Sequence, residues 1–378
     1  MLAGAFLVAS GMTGLAKPII ERTSFAGLPG WAAAEHGRAL KAFRRSCDEI
    51  LSQGRAFGRP SRFGGVRTDW IEVCETAARA RDPRSFFEQN FLPLRVNDPA
   101  RPEGLFTGYF EPEAEGSLIP GPRFTVPIYR KPRDLVAFED SESTGLRYGR
   151  LVDGEPKPFF TRREIEEGVL AGRGLELVWL TDWADAFFMH VQGSGRVRLE
   201  DGSILRLAYA GKSGQPYTGI GGLLVERGIL EREDMSMQAI RSWMTDHPVE
   251  ARDLMWENKS FVFFREVTVD DPALGPPGAQ KVPLTPLASL AVDRSLWAFG
   301  TPVFLDTTSP RTRGAGGDTF RELMIAQDTG TAIKGYARGD VFWGAGQDAA
   351  WIAGHMKSEG RMTALLPAPL AERLLAQQ

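Results

Sequence analysis

The texture of the chain changes near residue 105, and that change narrows what it can fold into. Residues 36–95 carry apolar side chains at helical spacing. Leu40, Phe43, Cys47, Ile50 and Leu51 form one stripe, and Trp70, Val73, Cys74 and Ala77 form another. Asp82-Pro83 marks a break between helices. Beyond 105, short runs rich in Tyr, Phe, Val and Ile alternate with Gly and Pro, at 108–110, 126–129, 175–180, 187–192, 197–199 and 205–210. Many short strands with turn signals predict a sandwich or barrel. Helical spacing returns over 234–256, where Ile240, Trp243 and Met244 share a face and His247-Pro248 divides the segment. From Ser260 the pattern is β-like again, 271–278 is turn-rich, and 308–318 reads as an exposed loop. The expected fold class is α+β, mainly β, with two β cores and flanking helices.

Composition excludes several functions. The chain has 378 residues, enough for two domains or one large one. Apolar types are 43% and charged types 25%, so it can bury a core. Its formal net charge is −3, without the basic excess of a nucleic-acid binder, and none is expected as partner. Two cysteines cannot build a four-thiolate zinc site, and no two of its four histidines stand at i, i+4, so neither metal nor cofactor is expected. Cys47 and Cys74 are either a bridge between two helices or two buried thiols, with export favouring the bridge.

Residues 1–16 carry no charge, and Gly14-Leu15-Ala16 resembles a cleavage end. The segment lacks a positive start. Residues 1–17 are therefore either a leader for export or an apolar arm packed on the body. No Cys follows to take a lipid, and no other stretch approaches the length of a spanning helix.

Two nucleotide motifs fail on inspection. Gly211-Lys212-Ser213 ends like a phosphate loop, but the glycine required at 206 is Arg206. Gly193-Ser194-Gly195 opens like a dinucleotide fingerprint, but position 198 is Arg198. There is no Gly-x-Ser-x-Gly elbow either.

The segment 326–346 is the most informative. Asp328 and Asp340 are separated by a stretch in which Gly330 and Gly335 supply turns and Ala332-Ile333 reads as a short strand. That return would bring both carboxylates to one end of a β unit. Asp293 ends a third strand pattern, 290–293. Carboxylates held close in a β core raise one another's pKa, and a carboxyl kept protonated is what general acid catalysis needs. The competing role for each Asp is a turn cap.

Blocks in a fixed order extend this reading. They are Gly108-Tyr109-Phe110-Glu111-Pro112, Pro127-Ile128-Tyr129-Arg130, Asp182-Trp183-Ala184-Asp185, Val191-Gln192-Gly193-Ser194-Gly195, Asn258-Lys259-Ser260-Phe261, Asp328-Thr329-Gly330, Ile333-Lys334-Gly335 and Arg338-Gly339-Asp340. Over nearly its full length the chain resembles the membrane-bound lytic murein transglycosylase A family, whose C-terminal "3D" domain is named for three aspartates. The resemblance implies a double-psi β-barrel from 18–107 and 263–378 with N-terminal helices, an inserted β domain over 108–262, and a glycan groove between them. It implies cleavage of the β-1,4 MurNAc-GlcNAc bond of peptidoglycan to a 1,6-anhydro product. Asp340 matches the catalytic acid, Asp328 and Asp293 the other two aspartates, and Asp185 a further acidic position on the groove. Asp328 is expected to support Asp340, and Lys334 to point away from it. Tyr109, Gln192 and Ser194 are expected glycan contacts, as is Asp293. Trp343 is either a sugar platform or core. The expected partners are peptidoglycan strands and proteins of wall synthesis or division, for a monomer in the periplasm or envelope of a Gram-negative bacterium. The chain departs from the family at Thr331, where a Gly is usual, and in lacking the lipid-anchoring Cys. A peptidoglycan-binding protein without activity and a hydrolytic muramidase are the competing readings.

Overall fold

A computed structural model describes residues 19–97, 102–138, 145–311 and 317–377. The leader-like segment lies outside the described residues. The chain opens with β1 (Ile19–Arg22) and three helices, α1 (His36–Ser52), α2 (Thr68–Arg79) and α3 (Pro83–Asn90). Asp82 caps α3 by accepting from Ser85 N at 3.0 Å, and Pro83 occupies its first turn, where no donor is needed. β2 (Phe91–Asn97) follows directly, so the helical expectation for 91–95 is corrected. Pro93 cannot continue a helix, and Phe91 and Leu94 instead pack into the core.

Two strands then run almost end to end: β3 (Gly104–Glu111) and β4 (Glu113–Ser117). The next strands are β5 (Val126–Tyr129), β6 (Val136–Ala137), β7 (Tyr148–Val152), β8 (Glu155–Lys157) and β9 (Glu176–Leu180). Helix α4 (Trp183–Gln192) replaces the strand expected over 187–192. Asp182 caps it by accepting from Asp185 N at 2.8 Å, and Gly193 ends it at φ 76°, a left-handed position that suits glycine. β10 (Ser194–Leu199) and β11 (Ile204–Lys212) follow, then α5 (Ile220–Glu226), α6 (Met237–Asp246), α7 (Pro248–Glu257) and β12 (Val262–Glu266). The chain closes with β13 (Ser289–Val292), β14 (Pro302–Pro310), β15 (Gly317–Asp328), β16 (Arg338–Ala345), α8 (Gln347–His355), β17 (Lys357–Pro367) and α9 (Ala368–Leu375). β14 and β15 form a hairpin paired through Pro310 and Gly317, so most of the loop expected over 308–318 is strand among the described residues.

The first and last parts of the chain build one sheet, which closes on itself. β17 pairs β14, then β15, β13, β16 and β3 follow, and β3 returns to β17. Inward residues such as Leu290, Val292, Val303, Leu305, Met324 and Val341 fill this six-stranded barrel. Outward residues on the opposite parity, Phe304, Leu323, Ile325 and Leu365, meet α1–α3 and α9 in a second cluster. Cys47 and Cys74 are bonded and join α1 to α2, closing a loop of sequence separation 27.

The inserted sheet runs in the order β12-β11-β10-β4-β9-β5. α4 lies on one face, contributing Ala186 and Met189 to a core with Val178, Val197, Leu207 and Phe264. The handover between sheets falls at Pro112 and after Glu266, a few residues beyond the expected limits of 108 and 262. Glu111, fully buried at the end of β3, accepts from Arg196 Nε at 2.7 Å and Arg206 Nη2 at 2.8 Å, tying the barrel strand to the insert. α6 docks on α8 through Gln238, whose amide donates to Ala350 O at 3.0 Å. The fold is α+β. No helix among the described residues is long and apolar enough to cross a membrane.

Candidate active site

Four barrel strands place one residue each in a row across the sheet. Asp340 on β16 pairs with Thr107 on β3 and, on its other side, with Ala291 on β13. Ala291 in turn pairs with Asp328 on β15. Directly paired residues put their side chains on the same face. The row therefore reads Thr107, Asp340, Ala291, Asp328, with the two aspartates flanking a methyl group. At the usual strand spacing their Cα atoms are about 10 Å apart.

Asp328 reaches this face through a bulge. The register jumps between Leu290–Ala326 and Ala291–Asp328, leaving Gln327 unpaired. Gln327 is buried behind the sheet, donating to Ala42 O at 2.9 Å and to Ser46 Oγ at 2.8 Å. Without the bulge, alternation would send Asp328 into the barrel beside Ala326.

The two carboxylates are held differently. Asp328 Oδ1 accepts from Ala279 N and Thr329 N, both at 2.9 Å, and Oδ2 accepts from Tyr109 Oη at 3.1 Å. Asp340 Oδ1 accepts from Thr107 Oγ1 at 2.5 Å, and its other oxygen has no hydrogen bond among the described residues. Arg338 Nη2 donates to the same Thr107 hydroxyl at 2.9 Å, which leaves the hydroxyl proton for Asp340. Asp340 is half-buried. Burial raises its pKa; the Thr107 bond and Arg338 oppose the rise, and the charge of Asp328 adds to it. Burial likewise raises Asp328, against the Thr329, Ala279 and Tyr109 bonds and Lys281. Tyr109 is pushed well above its ordinary value by burial and by both aspartates, so its phenol stays a donor.

Asp293 serves elsewhere. Its side chain is buried and accepts from Ser295 N at 3.0 Å, Ser295 Oγ at 2.7 Å, Lys334 Nζ at 3.2 Å and Gly335 N at 3.1 Å. Burial would raise its pKa, but these bonds outweigh it and the net shift is downward. Gly335, at φ 124°, presents its N–H to that carboxylate from a backbone conformation that other residues rarely adopt. Lys334 is thus turned to Asp293, with no bond to Asp340 among the described contacts. The segment 331–337 is turn, so no strand forms at Ala332-Ile333; Ile333 packs against the Tyr109 and Phe342 cluster instead.

The expected glycan contacts divide. Tyr109 is 9% exposed and spends its hydroxyl on Asp328, and Ser194 is 5% exposed at the start of β10. Both side chains lie largely in the interior. Gln192 is half-buried where α4 meets β3. Its Oε1 accepts from Phe110 N at 3.2 Å, and its amide N–H groups have no partner among the described residues. Asp185 is ion-paired with Arg241 in the insert. Trp343 is half-buried and packs against Phe320, with centroids 5.5 Å apart, at the margin of the barrel cluster. Lys212 of the insert donates to Thr331 Oγ1 at 3.1 Å, bridging to the loop that follows Asp328. Sequence reasoning gave no role to Thr107 or Arg338. The signal was there in part, since Thr107 precedes Tyr109 by two on one strand face and Arg338 precedes Asp340 by two. Among the described residues no group of three His, Cys, Asp or Glu side chains is placed to hold a metal.

Two family models match the chain in order: the MltA specific insert domain over residues 105–265 and the 3D domain over residues 288–366. Membrane-bound lytic murein transglycosylase A of Vibrio cholerae is 38% identical over 375 residues, covering 92% of this chain and 94% of the relative. The crystal structure of a membrane-bound lytic murein transglycosylase from Agrobacterium tumefaciens aligns with TM-score 0.84 at 38% identity, covering 94% of this chain and 99% of that one. A structure of Escherichia coli MltA with bound chitohexaose aligns with TM-score 0.64 at 30% identity, covering 87% and 90%. With both domains in sequence and a relative matched across nearly its whole length, this chain belongs to the membrane-bound lytic murein transglycosylase A family.

Proposed function

We propose that the protein is a lytic transglycosylase that cleaves the β-1,4 bond between N-acetylmuramic acid and N-acetylglucosamine in peptidoglycan, with Asp340 as its single acid and base. The observation that carries this is the unequal pair of carboxyls. Asp340 is half-buried with a raised pKa and one unengaged oxygen, and Asp328 is fixed by three donors two strands away.

Asp340, protonated, gives its proton to the glycosidic oxygen as the C1–O bond breaks. Its carboxylate then accepts the proton of the muramoyl C6 hydroxyl, and the C6 oxygen closes on C1. The product is the 1,6-anhydro sugar, no water is consumed, and Asp340 ends protonated. An internal nucleophile already tethered to C1 lowers the entropic cost of attack. Tyr109 and the N–H groups of Ala279 and Thr329 hold Asp328 in place, and Asp328 raises the pKa of Asp340. Asp293 anchors the turn between them rather than touching glycan. Gln192 keeps free amide donors for a sugar, and Lys212 marks the opposing wall. The barrel is of double-psi type in this reading, supported by six-strand closure with parallel pairs β13–β15 and β16–β3. The family's membrane-bound members support action in the cell envelope.

A water-using hydrolase needs a second carboxylate free to position water. Asp328 has both oxygens occupied and Asp185 is paired with Arg241, which favours the lone acid. Purified sacculi digested with wild type and Asp340→Asn, with products weighed by mass spectrometry, test this. Anhydromuropeptides from wild type and none from the variant are expected. Reducing ends heavier by one water point to hydrolysis, and no release by wild type points to a binding protein.

A further inference from the structure

We infer that the insert carries a subsite for the peptide stem of the substrate, a notch in which a short extended peptide bearing free carboxylates adds to the open edge of β4. The inference rests on the murein reading and goes beyond the glycan bond it cleaves. A cavity of about 330 Å³ lies beside β4, bounded by Glu113, Glu115, Thr181, Asp185, Arg198 and Arg241.

The edge is left open by topology. β4 pairs with β10 in parallel from Glu113 to Gly116, but with β9 only at Gly116–Leu180 and Ser117–Trp179. β9 ends there because Asp182 starts the cap of α4. Pro112 O accepts from Arg196 N at 2.8 Å, which fixes the phase of the parallel ladder. In such a ladder successive residues turn their peptide groups to opposite sides. Ala114 therefore faces β10, and Glu113 and Glu115 turn their peptide groups to the cavity side, where Ser117 meets β9 and the Gly116–Leu180 pairing engages the Glu115 C=O. A strand edge that offers the Glu113 N–H and C=O and the Glu115 N–H takes an extended peptide by augmentation.

Charge selects the peptide. Arg198 is exposed and has no ion pair among the described residues, so it is available to a carboxylate. Arg241 and Glu115 are already paired, with Asp185 and Arg123, and Glu113 stands 3.9 Å from Arg196, a loose contact open to an incoming amine. The notch also lies on the path of the glycan site. β3 and β4 are nearly continuous, and the six residues from Thr107 to Glu113 span about 20 Å of strand. A peptide hanging from a sugar a few residues away from the cleaved bond reaches that far.

The test is calorimetric titration of the protein with purified stem tetrapeptide released from murein, alongside a neutral, end-blocked peptide of the same length. Murein cleavage by wild type is followed separately. Binding of the stem peptide, weakened at least tenfold in Arg198→Glu and in Glu115→Pro, supports the inference. Glu115→Pro removes a donor that faces the cavity and none that faces β10, and a melting curve for each variant checks that it is folded. Wild type that cleaves murein but binds no stem peptide overturns the inference and leaves the enzymatic reading intact, as does equal binding of the neutral peptide or undiminished binding by both folded variants. Wild type that cleaves no murein sinks the enzymatic reading instead.

Discussion

Asp328 and Asp340 face the same residue, Ala291, from opposite sides of β13. The carboxyls are near enough for one charge to be felt by the other, and the side chain between them is a buried methyl packed beside Tyr109 and Ile333. Because Asp328 raises the pKa of Asp340, replacing it with Asn removes a negative charge and lowers that pKa. Activity depends on protonated Asp340 in the first step, so the alkaline limb of the pH–rate profile of Asp328→Asn is expected at lower pH than in wild type. A limb that stays in place shows that Asp328 has no electrostatic hold on the acid.

Thr107 acts in the opposite direction. Its hydroxyl bond favours the ionised form of Asp340, so Thr107→Val raises the acid's pKa and moves the alkaline limb to higher pH. The same substitution frees the carboxyl to rotate, and kcat is expected to fall on the order of tenfold, the scale of a hydrogen bond to a charged group. Thr107→Ser keeps the donor and restores both the rate and the limb. Steady-state assays across pH on sacculi read both quantities, and failure of Ser to rescue removes the hydroxyl from the account.

Stability and activity pull apart at Asp340. Burial holds its pKa in the folded protein above the unfolded value. The group's stabilising contribution is therefore complete below the ordinary carboxylate pKa of about 3.9 and is lost as pH rises through the raised value. As pH rises towards 7, ionising the carboxyl in this poorly solvated place costs the wild type stability that an amide does not lose. Asp340→Asn is expected to melt higher than wild type at pH 7, with the gap closing towards pH 4. Scanning calorimetry at the two pH values decides it, and a variant that melts lower at pH 7 contradicts the direction of the shift.

The legible parts of the sequence were those set by local signals. The stripes through Phe43 and Trp70 became α1 and α2, and Cys47 and Cys74 face each other because both stripes point into one seam. Three features were not legible: one turns on helix caps that an apolar run masks, and two are decided by distant residues. The run from Phe187 is apolar enough for a strand, but the Asp182 cap and Gly193 make it a helix. The bulge at Gln327 depends on partners on α1, some 280 residues earlier in the chain, yet it alone turns Asp328 towards Asp340. Tyr109 reads as a glycan contact, and the closure of β3 onto β16 is what packs it against Asp328.

The buried Glu111 shows how the two sheets are kept in one relation. It has no exposed surface, and its carboxylate takes Arg196 and Arg206 from adjacent strands of the insert, with side chains 21% and 10% exposed. Arg206 also donates to Leu274 O at 2.7 Å, so the segment returning to the barrel is gathered at the same point. Removing one partner of a buried charged cluster leaves the others without compensation and costs about 3–5 kcal/mol. Glu111→Gln keeps shape and one acceptor but loses the charge both arginines require. The expected result is a loss of that order in denaturant unfolding. The loss should fall on the junction: the insert, no longer locked to β3, unfolds ahead of the barrel and splits a single transition into two. A single transition at unchanged midpoint shows that the cluster is not what couples the domains.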